Sequence, residues 1–225
     1  MNGPRVNRSS ESQPNTDEAI SRRRQAWIVM AFAALGCGLA IAPLVWYGDS
    51  EMSKQISGIH LPGDLNKAIQ VSEVFAHGTG VIAILATLWW IDIERRRSLQ
   101  FAAGITLISG VTANGMKAIF TRIRPHSGDI VDGSESWLPM FHGSFWESSL
   151  RSFPSGHAAT AVALAIGLSI VYPRGKFLFA SFAFLACFQR IVSKAHYPSD
   201  VVVGAFIAVV CCAFCMRWRP GIAAN

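Results

Sequence analysis

The sequence predicts an all-α protein, a six-span transmembrane helical bundle, and three observations predict it. Of the 225 residues, 51% are hydrophobic and only 15% are charged, with a mean hydropathy of +0.34, more apolar than an ordinary soluble domain. The apolar residues gather into runs near 26–47, 74–92, 99–120, 157–173, 176–192 and 199–217, and about 20 such residues cross roughly 30 Å of hydrocarbon. Basic residues alternate in the way a membrane topology requires. With the N-terminus inside and six crossings, the inner segments hold 12 of the 20 Lys and Arg, including Arg22 to Arg24, Arg95 to Arg97, Arg174, Lys176, Arg217 and Arg219, as the positive-inside rule demands.

Each element follows in order. Residues 1–24 mix Ser, Asn, Pro, Glu and Arg without periodicity, the composition of a disordered tail, here expected to be cytoplasmic. The first span ends near Ala40-Ile41-Ala42, which resembles a signal cleavage site, but a polar tail precedes it and Pro43 would follow the cut, so a retained anchor is expected. Residues 25–219 then form one six-helix domain. In 48–73, Pro62-Gly63-Asp64 reads as a turn and helix cap; the segment from Leu65 either runs unbroken into the second span or forms a short interfacial helix. Residues 121–156 make the longest connection, on the outer side. Its Trp137, Phe141, Phe145 and Trp146 suit the headgroup level, as a lid, a lipid entrance or simple anchors. Tyr172-Pro173-Arg174-Gly175-Lys176 breaks the fourth span from the fifth as a tight hairpin. The five cysteines, Cys37, Cys187, Cys211, Cys212 and Cys215, lie inside apolar spans without metal-like spacing to His and read as small core residues.

Three short segments at the outer helix ends carry the chemistry. In the first, Lys117 and Arg124 are seven positions apart. On a helix that Pro125 ends, both would leave one face. A lysine at the end of a span either snorkels to the headgroups or lines a polar cavity. The second, Pro154-Ser155-Gly156-His157, leads straight into an apolar run. Ser155 is placed as an N-cap, with the amides of Gly156 and His157 at the positive helix end, a geometry suited to anions. In the third, Arg190 precedes His196-Tyr-Pro-Ser-Asp200, and Asp200, in the first turn of the last helix, is placed to fix the tautomer of His196. Phosphoryl transfer needs cations on the equatorial oxygens, an in-line nucleophile and a proton donor to the leaving oxygen. Lys117, Arg124 and Arg190 supply charge, His196 a nucleophile and His157 an acid. No carboxylate cluster suited to a metal stands beside them, so neither metal nor cofactor is expected. The net charge of +6 is accounted for by topology and an anion site, without a nucleic-acid partner.

The patterns Lys-x6-Arg-Pro, Pro-Ser-Gly-His and Arg-x5-His-x3-Asp resemble the three signature motifs of the type 2 phosphatidic acid phosphatase superfamily, between Lys117 and Asp200. The resemblance implies a membrane-bound lipid phosphatase whose site lies at the non-cytoplasmic helix ends. By it, Lys117, Arg124 and Arg190 bind phosphate with Ser155 and Gly156, His157 protonates the leaving group, His196 takes the phosphate and Asp200 orients His196. One position departs from the pattern: Gln189 stands where the family usually has a phosphate-binding Ser. A Gln there is expected to take over that contact or to bias headgroup preference.

The resemblance implies a lipid phosphate substrate in the bilayer: phosphatidic acid, phosphatidylglycerol phosphate, undecaprenyl pyrophosphate or the phosphates of lipid A. It implies a bacterial inner membrane with both termini cytoplasmic and the site periplasmic. Two other readings share the motifs, a phosphotransferase that passes phosphate from the same histidine to a lipid or sugar acceptor, and an inactive lipid-binding scaffold. The scaffold would be marked by a lost motif His or Arg, and none is lost.

Overall fold

A computed structural model describes residues 21, 24, 28, 32, 35, 36, 38, 39, 43, 48–56, 58–127, 135–142 and 147–216. The described positions up to 56 are helical, and 48–56 form the part labelled α1. There follow α2 (Gly63–Val71), α3 (Gly78–Ile91), α4 (Arg96–Met116), α5 (Gly156–Val171), α6 (Lys176–Val192) and α7 (Pro198–Met216), with single 3-10 turns between some of them. No strand occurs among the described residues; two isolated bridges, Arg122 with Trp137 and with Arg151, are the nearest approach to one. The all-helical expectation therefore holds for what is described. Most of the tail and most of the first span lie outside the described residues.

Helix α5 is the axis of the bundle, with α4, α6 and α7 packed around it. Its Ala158, Ala159, Ala161, Ala163 and Leu164 are wholly buried. Small side chains let neighbouring backbones approach closely, which is how helices pack where lipid removes the hydrophobic drive between them. The outward faces are apolar: Trp90 is 81% exposed, Phe177 77% and Ile91 73%. Apolar surface on that scale is costly against water and free of cost against hydrocarbon.

Among the described residues, Pro173–Val192 and Pro198–Met216 are each long and apolar enough to cross a membrane, and the pair Gly63–Phe75 with Gly78–Ile91 adds a third if taken as one broken span. Six spans are thus an expectation only partly met. Helix α5 is apolar but has 16 residues.

Two local expectations are corrected. The chain does not run unbroken from Leu65 into the second span, because the axis bends by 71° between Phe75 and Gly78. Gly80 permits the bend: a Cβ there would lie 2.0 Å from the Val74 carbonyl oxygen, so only glycine fits. Nor do Lys117 and Arg124 share a helix. Helix α4 stops at Met116, with Lys117 as its C-cap. Beyond it, Arg122 N donates to Leu150 O, Ile123 N to Ser136 O and Arg124 N to Ser149 O. Ile119, Thr121 and Ile123 alternate β-branched side chains, which favour extended backbone once such partners exist.

At the end of the bundle away from these segments, Arg95 Nη1 donates to Val171 O at 3.1 Å and Tyr172 Oη to Asp92 Oδ2 at 3.1 Å. These contacts tie the α3–α4 turn to the foot of α5, where the Tyr172 to Lys176 hairpin forms as the sequence indicates.

Candidate active site

The expected cap is present. Ser155 Oγ accepts from Ala158 N at 3.3 Å and opens α5 at Gly156, so His157 stands in the first turn. The third segment is joined to the second by backbone: Ser155 N donates to Asp200 O at 2.9 Å. This approach requires Gly204 one turn along α7, where a Cβ would sit 2.3 Å from the Ser155 carbonyl oxygen. Helix α6 ends at Val192, Lys194 adopts a left-handed φ of 54°, and His196 N closes back on Arg190 O at 3.1 Å. His126 N donates to Lys194 O at 3.0 Å, which binds the first segment to the third.

Lys117 lies within electrostatic reach of Arg124, Arg151, Asp200 and Arg190. His157 lies within reach of Arg190, His196 and Lys117, and His196 within reach of Lys117, Asp200 and Arg124. All eight residues singled out in the sequence therefore gather at one end of the bundle, although Lys117 and Arg124 arrive by a turn and an extended segment instead of one helical face.

Burial leaves several polar atoms without a hydrogen-bond partner among the described residues: Arg124 Nε, Arg190 Nε, His157 Nε2 and both ring nitrogens of His196. Each unsatisfied buried donor or acceptor costs about 1–3 kcal/mol, and such groups are rare enough to need an explanation. Burial pushes the His196 imidazole down to about 4, with Asp200 opposing the shift and Lys117 reinforcing it. The ring is neutral at ordinary pH, which leaves a lone pair for attack. Burial, then the Arg190 charge, also lowers Arg124 from the usual arginine range, while Asp200 opposes. Crowded cations of this kind are relieved by an anion.

Asp200 is fully buried, and its Oδ2 stands 3.7 Å from His196 Nδ1, just beyond hydrogen-bond length. That oxygen accepts instead from Ser152 Oγ at 2.5 Å and Tyr197 N at 2.9 Å, while Oδ1 accepts from Arg122 Nη1 at 2.6 Å.

Sequence reasoning missed this supporting layer. Arg122 is 1% exposed and also pairs with Asp49 Oδ2 at 2.8 Å, donates to Ser199 Oγ at 2.8 Å and to Ser136 Oγ at 3.1 Å, and lies over the rings of Tyr197 and Trp137. Ser199 N donates to Asp49 Oδ1 at 2.8 Å, and the Ser199 hydroxyl bonds Asp49 Oδ2. A signal was available: a charge at Arg122 two residues from Arg124, in a chain with so few, calls for a partner. Trp137, expected at the headgroup level, packs inward on Phe153 with ring centroids 5.0 Å apart. Phe141 is 71% exposed; Phe145 and Trp146 lie outside the described residues.

Glu73 was missed as well. Its Oε1 accepts from Arg190 Nη1 at 2.5 Å and stands 3.6 Å from His157 Nε2, and Oε2 accepts from Gln189 Nε2 at 3.3 Å. Gln189 Oε1 in turn accepts from Arg190 Nη1 at 3.2 Å, so the residue that departs from the motif still touches its arginine. His77 adds a third imidazole, its ring 5.9 Å from that of His157. Among the described residues, no group of three or more His, Cys, Asp or Glu is arranged to hold a metal ion.

Residues 98–223 match the model of the PAP2 superfamily. The chain is 37% identical over 99 residues to lipid A 1-phosphatase of Rhizobium johnstonii, a match that takes in 44% of this chain and 38% of that protein, so the chain spans about two fifths of that relative's length. It is 33% identical over 146 residues to decaprenylphosphoryl-5-phosphoribose phosphatase of Mycobacterium tuberculosis, covering 64% of this chain and 73% of that protein. In fold it is similar to the transmembrane PAP2 type phosphatidylglycerolphosphate phosphatase of Bacillus subtilis, with a TM-score of 0.55, 18% identity, and 84% and 94% of the two chains covered.

Proposed function

Because the chain belongs to the PAP2 superfamily, its model matching more than half the sequence, we propose that it is an integral membrane lipid phosphatase. It hydrolyses a phosphomonoester or pyrophosphate of a membrane lipid through a phosphohistidine. The observation that carries this reading is the gathering of partnerless buried atoms of Arg124, Arg190, His157 and His196 around Lys117, a set that a phosphate would complete.

In this scheme Lys117, Arg124 and Arg190, with the Ser155 hydroxyl and the Gly156 amide, hold the phosphoryl oxygens. His196 attacks phosphorus through Nε2, the nitrogen turned away from Asp200. The bond from phosphorus to the lipid oxygen breaks as His157 gives that oxygen a proton. Water, deprotonated by His157, then displaces the histidine and releases inorganic phosphate. Asp200 holds His196 by charge, and Arg122 holds Asp200. The carboxylates at the site, Glu73 and Asp200, are engaged by Arg190 and Arg122, which supports a mechanism without metal.

The six-span arrangement within 25–219, the cytoplasmic tail 1–24, cytoplasmic termini, a periplasmic site and a bacterial inner membrane belong to the same proposal. Their support is the alternation of basic residues and the placement of all three motif segments at one end of the bundle. The test is phosphate release by purified protein in detergent from lipid phosphates of each class, with and without EDTA. Release that survives EDTA is expected; no release from any of them, or strong inhibition by EDTA, contradicts the scheme.

A further inference from the structure

Along α6, two recesses lie in series on the seam with α2. The deeper, about 650 Å³, is apolar, and Phe75 of the turn after α2 lines it together with Phe179, Phe182 and Leu185 of α6. The outer, about 730 Å³, is lined by His60, Asn66, Gln70, Glu73, Gln189 and Ser193 among a few apolar residues, with no Lys or Arg among the described residues that line it. The two linings meet at Ser72 and Glu73, where Glu73 is bound to Arg190 and stands before His157.

We propose that the outer recess is a headgroup subsite for a neutral, hydroxyl-rich moiety, a sugar or polyol that carries the phosphate, with hydrocarbon lodged in the apolar recess below. This deepens the phosphatase reading and rests on it. Side-chain amides both donate and accept, which matches hydroxyl groups, and Asn66 and Gln70 on α2 with Gln189 on α6 offer three of them around the recess. Gln70 Nε2 and Asn66 Oδ1 are 3.5 Å apart, a weak mutual contact that a ligand hydroxyl would improve upon. The described residues of the lining include none of the cations that a second phosphate would need, and Glu73 opposes a second anion, so a monophosphate of a sugar is favoured over a diphosphate. Gln189 belongs to both the recess and the phosphate site, and so couples the headgroup to Arg190.

The test uses calorimetric titration of the full chain in detergent micelles, in the His196→Ala background to prevent turnover, with inorganic phosphate and with glucose 1-phosphate. The sugar phosphate is expected to bind at least about tenfold more tightly than phosphate. Asn66→Leu with Gln70→Leu removes that preference and leaves phosphate binding unchanged, which also reports that the protein is folded. Equal affinity for the two ligands, or a preference that survives the double variant, overturns the subsite. Failure of the phosphatase reading shows separately, as absence of phosphate release from every lipid phosphate by the unmutated chain.

Discussion

The His196 ring is 1% exposed, and burial holds its pKa down to about 4 against an ordinary value of 6.5. The catalytic sign follows directly. The nucleophile must be neutral, so kcat/KM is expected to fall as acidity increases through about pH 4. A pH–rate profile of the free enzyme on a soluble phosphate ester checks this; an acid limb near 6.5 contradicts it. Asp200→Asn keeps the shape but removes the charge that steadies the imidazolium-like state, and is expected to lower kcat by at least about a hundredfold with little change in KM. Asp200 and His196 were legible from their spacing in the sequence. Their separation of 3.7 Å was not, because Ser152 and Tyr197 compete for the same carboxylate oxygen.

At the scale of elements, the extended stretch after α4 is held by Arg122, which bridges two buried carboxylates, Asp49 and Asp200. Removing one partner of such a network leaves uncompensated charge and costs about 3–5 kcal/mol. Arg122→Leu is therefore expected to lower thermal stability in detergent strongly and to abolish activity, whereas an unaffected melting curve would remove Arg122 from the account. Gly204→Val introduces a Cβ 2.3 Å from the Ser155 carbonyl and is expected to destabilise by about 1–3 kcal/mol while depressing phosphate release. Helix α5, its Ser155 cap, the hairpin at Pro173 and the start of α7 at Pro198 were all written in local signals of caps and breakers. The end of α4 at Met116 was not, since it depends on backbone partners around 136 and 150 that are remote in sequence. The bend before Gly78 depends likewise on one close approach to Gly80.

At the scale of the molecule, the bundle places three motif segments at one end and a basic, aromatic-stacked turn, with Arg95 over Tyr172 and Arg96 over Trp89, at the other. Hydropathy and basic-residue alternation made that polarity legible, because both record which solvent each segment meets. What hydropathy does not encode is the ion-pair layer beneath the site, since Glu73 and Asp49 earn their partners only through tertiary contact. Topology is checked by a membrane-impermeant thiol reagent on intact cells that carry a single cysteine in an otherwise cysteine-free chain. Met140→Cys is expected to label from outside, and Arg174→Cys only after lysis.

The central claim is that His196 carries the phosphoryl group. Rapid acid quench of the purified protein during turnover of a phosphate-labelled lipid, followed by peptide mapping, measures it most directly. An acid-labile, alkali-stable phosphoryl group on the peptide bearing His196, absent in His196→Ala together with a loss of at least about a thousandfold in phosphate release, is the result expected. Continued near-normal phosphate release by His196→Ala, with label on another residue or on none, would contradict it.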